Sequence, residues 1–96
     1  MLVKSFLAYL KGVLKDSTVN ALCASVAQTL KRERQRKNLS MNAIAERAGL
    51  SQQMVSYVER GIRRPTLDTI FRMSLALEVD LGRIIRDVIK NAELRN

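Results

Sequence analysis

The stretch from residue 40 to residue 65 constrains this chain more than any other part of it. Two short amphipathic segments, residues 41–48 and 52–60, meet at Ala48-Gly49-Leu50-Ser51. A turn that tight needs a residue that tolerates positive φ, and Gly49 supplies it. Two helices crossing at a wide angle need a small residue at their closest approach, and Ala45 stands there. Ile44, Ala48, Leu50, Val55 and Val58 recur at helical spacing and supply the apolar inner faces. Ser40 and Ser51 fall where a side-chain oxygen accepts a backbone N–H at a helix start. The spacing predicts two short helices locked around one turn.

The remainder of the chain also reads as helix. Residues 2 to about 15 carry Val3, Phe6, Leu7, Leu10, Val13 and Leu14 at a helical period. Asp16-Ser17-Thr18 reads as a break and the next cap. A long helix is expected over residues 19–37, with Leu22, Cys23, Val26, Ala27 and Leu30 on its apolar side and a basic C-terminal half suited to the negative end of the helix dipole. After the two short helices and a loop from Gly61 to Pro65, Thr66 caps a helix running to about Leu77. Its inward residues are expected to be Leu67, Ile70, Met73, Ser74 and Leu77. Glu78-Val79 turns the chain, and Asp80 caps a last helix from Leu81 to about Leu94. No strand, internal repeat or low-complexity tract is evident. The fold class is therefore all-α, divided as a helical extension at residues 1–18 and a domain at residues 19–96. Ninety-six residues make one domain,. With 47% apolar but only 4% aromatic residues, its core must be aliphatic.

The residue inventory argues against catalysis and against a metal or small-molecule cofactor. There is no His, which removes the commonest general base and metal ligand,. The single cysteine, Cys23, can form neither an internal disulfide nor a zinc cluster,. It reads as a small buried apolar residue, with a redox-sensing thiol as the sharper alternative. The carboxylates are scattered, and no glycine-rich phosphate loop exists. No apolar run approaches the ~18 residues of a membrane span, and the start of the chain is lysine-broken without a small-residue cleavage site. A cytoplasmic location is expected. The formal charge of +8 and a pI near 10.4 point to a polyanionic partner,.

Gln52 and Gln53 follow the capping Ser51 directly. Gln can bond adenine N6 and N7 together, and it can donate to guanine O6 or N7. Arg63 and Arg64, just after Gly61, are placed to meet phosphates. Taken alone, the glutamine pair would read as solvated surface and the arginines as a solvated loop. Their position beside the two-helix motif gives them the sharper reading.

Residues from about 26 to 86 resemble the phage repressor and Cro family of helix-turn-helix domains, the Xre-type regulators. The resemblance rests on the Arg-rich end of the long helix, Leu39-Ser40, and Ile44-Ala45 followed by Gly49. It continues through Val55, Glu59-Arg60-Gly61, Pro65-Thr66-Leu67, and Leu75-Ala76-Leu77 followed by Val79. It implies a five-helix repressor-like domain, here with an extra N-terminal amphipathic helix, whose third helix enters the major groove of a double-stranded DNA operator. It implies that Gln52 and Gln53 read bases, joined by Ser56 and Tyr57, although Tyr57 can equally be packed. Ser40, Asn42, Arg60, Arg63 and Arg64 would contact phosphate. Arg34 and Glu59 would form an internal salt bridge. Met41 departs from the family, which often carries a phosphate-contacting Gln there. The implied function is transcriptional regulation by a homodimer, as repressor or autoregulator, in a bacterial or phage-encoded protein bound to the nucleoid. The alternative is an antitoxin-type interaction protein that holds a toxin and represses its own operon.

The ends of the chain lie outside that resemblance. Phe6, Leu10 and Leu14 form one apolar stripe, and Ile85, Val88 and Ile89 form another. Two exposed stripes in so small a domain are a liability, so they are expected to cover each other, at or beside a two-fold dimer interface. The first stripe could alternatively cover only its own core, or dock another protein or a membrane surface.

Overall fold

The computed structural model describes residues 15–95, which form α1 (Asp16–Arg36), α2 (Met41–Ala48), α3 (Gln52–Glu59), α4 (Leu67–Leu77) and α5 (Leu81–Arg95). The chain is all-α, as expected. The expected helix at residues 2–15, with Phe6, Leu10 and Leu14, lies outside the described residues.

Most boundaries follow local chemistry. Ser40 Oγ accepts from Ala43 N at 2.9 Å and Ser51 Oγ from Met54 N at 3.0 Å. Thr66 Oγ1 accepts from Thr69 N at 3.2 Å, and Asp80 Oδ1 from Arg83 N at 3.1 Å. Each bond satisfies a donor that a helix start otherwise leaves unpaired. One start differs from expectation. Asp16-Ser17-Thr18 is no break: it forms the first turn of α1, behind an extended Lys15. Asp16 thereby sits at the positive end of the dipole,. The boundary expected after residue 18 therefore falls inside a helix.

The core is aliphatic. Leu30, Ile44, Val55, Val58, Met73 and Leu77 are fully buried, and Ala27, Ala45, Ile70 and Ile84 complete the cluster. Removing side chains of this size from water contributes about 1.5–3 kcal/mol each. The long α1 is the support against which α3, α4 and α5 pack, while α2 lies against α3 and α4. Leu67, expected inside, is instead 64% exposed. α4 is buried through Thr69, Ile70, Met73, Ser74 and Leu77, and Leu67 lies on its other side. Val88 packs against the core, so α5 does not hold it free for a partner, and Ile89 is half-buried. Cys23 is half-buried rather than enclosed.

Basic side chains close two of the helix ends. Arg72 Nη1 donates to the carbonyl of Ala48 at 3.1 Å, at the end of α2, and the Lys37 ammonium donates to the carbonyl of Leu77, at the end of α4. The turn between α2 and α3 is held by Gly49 at φ 69°. A Cβ there would lie 3.1 Å from Arg72 Nη1, whereas at Gly61, with φ 70°, nothing lies within 4 Å. Any L-residue at Gly49 therefore meets both left-handed backbone strain and the guanidinium that closes α2. We expect Gly49→Ala to lower unfolding free energy by about 1–2 kcal/mol, the ordinary left-handed penalty, or somewhat more. Gly61→Ala should incur the backbone part alone. Urea unfolding of the two variants side by side checks the difference.

Candidate nucleic-acid interface

The outward side of α3 is built from residues one turn apart. Gln52 and Gln53 are exposed at its first turn, Ser56 and Tyr57 are half-buried on the second, and Arg60 is exposed at the C-cap. The Ser51 cap fixes where this helix begins, and with it where the two amides stand,. Val55 and Val58 turn the opposite side into the core.

The site residues also touch one another. Gln53 Nε2 donates to the Tyr57 hydroxyl at 2.5 Å. The Arg63 guanidinium lies over the Tyr57 ring, 5.2 Å from its centroid, a cation–π arrangement,. Arg60 Nη1 donates to Ser56 Oγ at a long 3.5 Å. The Arg64 guanidinium donates to Asn20 Oδ1 near the start of α1. Among the described residues none of Arg60, Arg63 and Arg64 is salt-bridged to a carboxylate. Their charge is therefore directed outward, and the bonds that hold Arg60 and Arg64 are to neutral acceptors.

At the start of α2, Ser40 is exposed and its Oγ accepts the cap bond, which leaves the hydroxyl proton free to point outward,. Asn42 is exposed and donates to Glu46 Oε1 at 3.4 Å. Met41 packs against the core. An apolar thioether suits that position, because a longer polar side chain turned inward there would lose its water.

The angle of α3 is set from behind by a buried ion pair. Arg34 Nε donates to Glu59 Oε2 at 2.6 Å and Nη2 to Glu59 Oε1 at 2.9 Å, while Nη1 donates to the Leu39 carbonyl at 2.7 Å. The carboxylate of Glu59 is only 3% exposed and the Arg34 side chain 13%. This is the two-pronged arrangement in which arginine binds a carboxylate most strongly. The bond to Glu59 raises the Arg34 pKa above its ordinary value against the opposing effect of burial. Gln28 Nε2 adds a bond to the Glu59 carbonyl at 3.3 Å. One residue at the end of α3 is thus gripped by α1 through its side chain and its backbone. Sequence reasoning paired Arg34 with Glu59 but missed Gln28, Arg72 and Lys37, which donate to backbone carbonyls distant in the chain, and Asn20, whose amide oxygen accepts from Arg64.

Two short helices about a left-handed glycine, the second presenting amides and flanked by exposed arginines without a carboxylate partner among the described residues, define a helix-turn-helix domain. The comparison with known families agrees: the helix-turn-helix family matches residues 30–84, more than half of the chain, and the chain belongs to that family. It is 38% identical over 50 residues to the uncharacterized HTH-type transcriptional regulator Rv0474 of Mycobacterium tuberculosis. That match covers 52% of this chain and 36% of the relative, so the chain spans about a third of that regulator's length. It is 39% identical over 54 residues to the uncharacterized HTH-type transcriptional regulator y4dJ of Sinorhizobium fredii, covering 56% of this chain and 70% of the relative. No solved structure matches significantly. Among the described residues no helix is long and apolar enough to cross a membrane.

Proposed function

We propose that this chain is a sequence-specific, double-stranded DNA-binding transcriptional regulator, a repressor or autoregulator, that reads the major groove as a homodimer in the cytoplasm. The observation that carries the proposal is the clamped α3: exposed Gln52 and Gln53 at its start, Arg60 at its end, and a bidentate ion pair fixing its angle from behind. Amides on a rigid helix can satisfy the donor–acceptor pattern of a base edge; amides on a mobile loop would lose binding energy in being ordered. Membership of the helix-turn-helix family and the naming of its relatives as transcriptional regulators support the same reading.

In this reading the first turn of α3 enters the groove, with Gln52 and Gln53 on base edges and Ser56 and Tyr57 beside them. Ser40 and Asn42 at the start of α2 lie against one strand, where free backbone N–H groups also favour phosphate. Arg60, Arg63 and Arg64 hold the backbone near the end of α3. The residues ahead of α1 form an extension to this domain.

Selection of bound duplexes from random sequence tests the proposal. A repeated motif with two inverted half-sites supports it, and binding without enrichment of any sequence overturns the specific reading. The arginines have their own expected result. Replacing Arg60, Arg63 or Arg64 by Gln should lower the slope of log affinity against log salt by about one per phosphate contact removed. The loss should be alike on selected and random duplexes. Titrations at several salt concentrations check this; an unchanged slope for all three would assign them to solvent.

A further inference from the structure

α4 presents an apolar stripe to solvent. Leu67 is 64% exposed, Phe71 50% and Leu75 75%. The three are four residues apart, so they line one side of the helix. They span about 12 Å at 1.5 Å per residue. The other side of α4 is already committed to the core through Ile70, Met73 and Leu77. This stripe is therefore additional to what the fold requires. Surfaces of this kind mark an interaction site.

We infer that this stripe is the surface on which two copies of the chain pair. The inference rests on the regulator reading above and deepens it by naming the interface. Three features favour a second copy over a different partner. The stripe is symmetric about its centre: Phe71 has a leucine four residues before it and another four residues after it. Crossed antiparallel on a two-fold axis, Phe71 meets its own copy and Leu67 meets the partner's Leu75. That is the self-complementarity a two-fold interface demands. The rim carries both signs, since Asp68 and Arg72 stand one turn apart, paired at 3.2 Å and largely exposed. The same two-fold brings each acid toward the other copy's base, whereas a strongly acidic or basic peptide would meet one unfavourable charge. Finally, a shallow groove of about 510 Å³ runs beside Leu75, lined by Arg47, Ala48, Arg72, Ala76 and Glu78. It gives an opposing leucine somewhere to go.

The stripe is small. Three partly exposed side chains offer well under the about 800 Å² per partner buried in a standard stable complex. The pairing is accordingly weak in free solution and becomes effective on DNA, where neighbouring half-sites hold two copies at high effective concentration. α1 and α2 each pack against both α3 and α4, so pairing through the stripe fixes the separation of the two reading helices. Successive major grooves require about 34 Å.

The test uses the full chain with Phe71→Glu and, separately, Leu75→Glu. Both positions are exposed, and circular dichroism should show helix content unchanged. Sedimentation should find concentration-dependent dimerisation in the parent chain and monomers in both variants. On a selected two-half-site duplex, the variants should lose cooperativity and at least about thirtyfold in affinity, the size of a hot-spot contact. Affinity for a single half-site should not change. Variants that keep cooperative binding overturn the inference. A parent chain that dimerises through α4 yet prefers no DNA sequence overturns the regulator reading and leaves the interface standing. A cross-linking arm decides what occupies the stripe: Phe71→Cys in a Cys23→Ser background should join two copies through a short bismaleimide. Monomer only, with the thiol becoming reactive after deletion of residues 1–14, would assign the stripe to the chain's own N-terminal segment. Protection of the thiol in a monomer by an unrelated protein would likewise reject pairing of two copies.

Discussion

Glu59→Ala should lower the unfolding free energy by about 3–5 kcal/mol, the usual cost of breaking a buried ion pair from one side. The substitution removes a carboxylate of which 3% is exposed and leaves the Arg34 guanidinium with only the Leu39 carbonyl. Arg34→Ala should do comparable harm by leaving the anion enclosed. The double variant Arg34→Met, Glu59→Leu should recover much of the loss, because a well-packed apolar pair of similar volume often matches a buried ion pair. Guanidinium chloride unfolding of the four proteins measures the two losses and the recovery, and a single variant within 1 kcal/mol or so of the parent, against the 3–5 expected, would show that the pair is not structurally important. The pair has little pH dependence to offer on the arginine side. A folded-state pKa raised above the ordinary value contributes stability that is present below that value and lost only as pH rises through the raised one,. For Arg34 that point lies beyond the range in which the chain is handled.

The second large effect is on recognition. Gln52→Ala should lose about 1–3 kcal/mol on the selected site, roughly five- to 150-fold, and almost nothing on random duplex. Gln52 is exposed at the first turn of α3, so its removal leaves the fold intact. Gln53→Ala differs because Gln53 also bonds the Tyr57 hydroxyl. It should lose affinity on the specific site and also release the tyrosine, with a relaxed preference at the base it faces. Competition titrations with selected and scrambled duplexes measure both. Equal losses on the two kinds of DNA would remove Gln52 and Gln53 from base reading.

The helix starts and the α2–α3 turn were legible because their causes are local. A serine, threonine or aspartate that caps is adjacent to what it caps, and Gly49 and Gly61 stand where the chain needs φ near +70°. The reading face was legible for the same reason, since residues a turn apart must share a side. The orientation of α4 was not. Leu67, Ile70, Phe71, Met73, Leu75 and Leu77 leave few polar positions on that helix, so periodicity alone could not select its buried side. Docking against α1 and α2 selected Ile70, Met73 and Leu77, and left Leu67 outside. Asp16 misled in another way. Acidic and hydroxyl residues favour both the cap and the first turn, and here Asp16 is in the turn. Arg72 on Ala48 and Lys37 on Leu77 could not be foreseen, because a carbonyl left open by one helix may be closed by a side chain from anywhere.

Those two closures bear on how the chain and a duplex would meet. Arg34, Lys37 and Arg72 each donate to a carbonyl inside the domain, so their donors are engaged before any duplex arrives. The bond to a neutral carbonyl leaves the charge of Lys37 uncompensated, whereas Arg34 is paired with Glu59 and Arg72 with Asp68. A cation held in this way adds to the field that draws DNA inward while its donors are already committed. Speed of arrival and length of stay are thereby divided between different residues. A sequence change at Lys37 would alter how fast the two molecules find each other, and changes at Arg60, Arg63 and Arg64 how long they remain together.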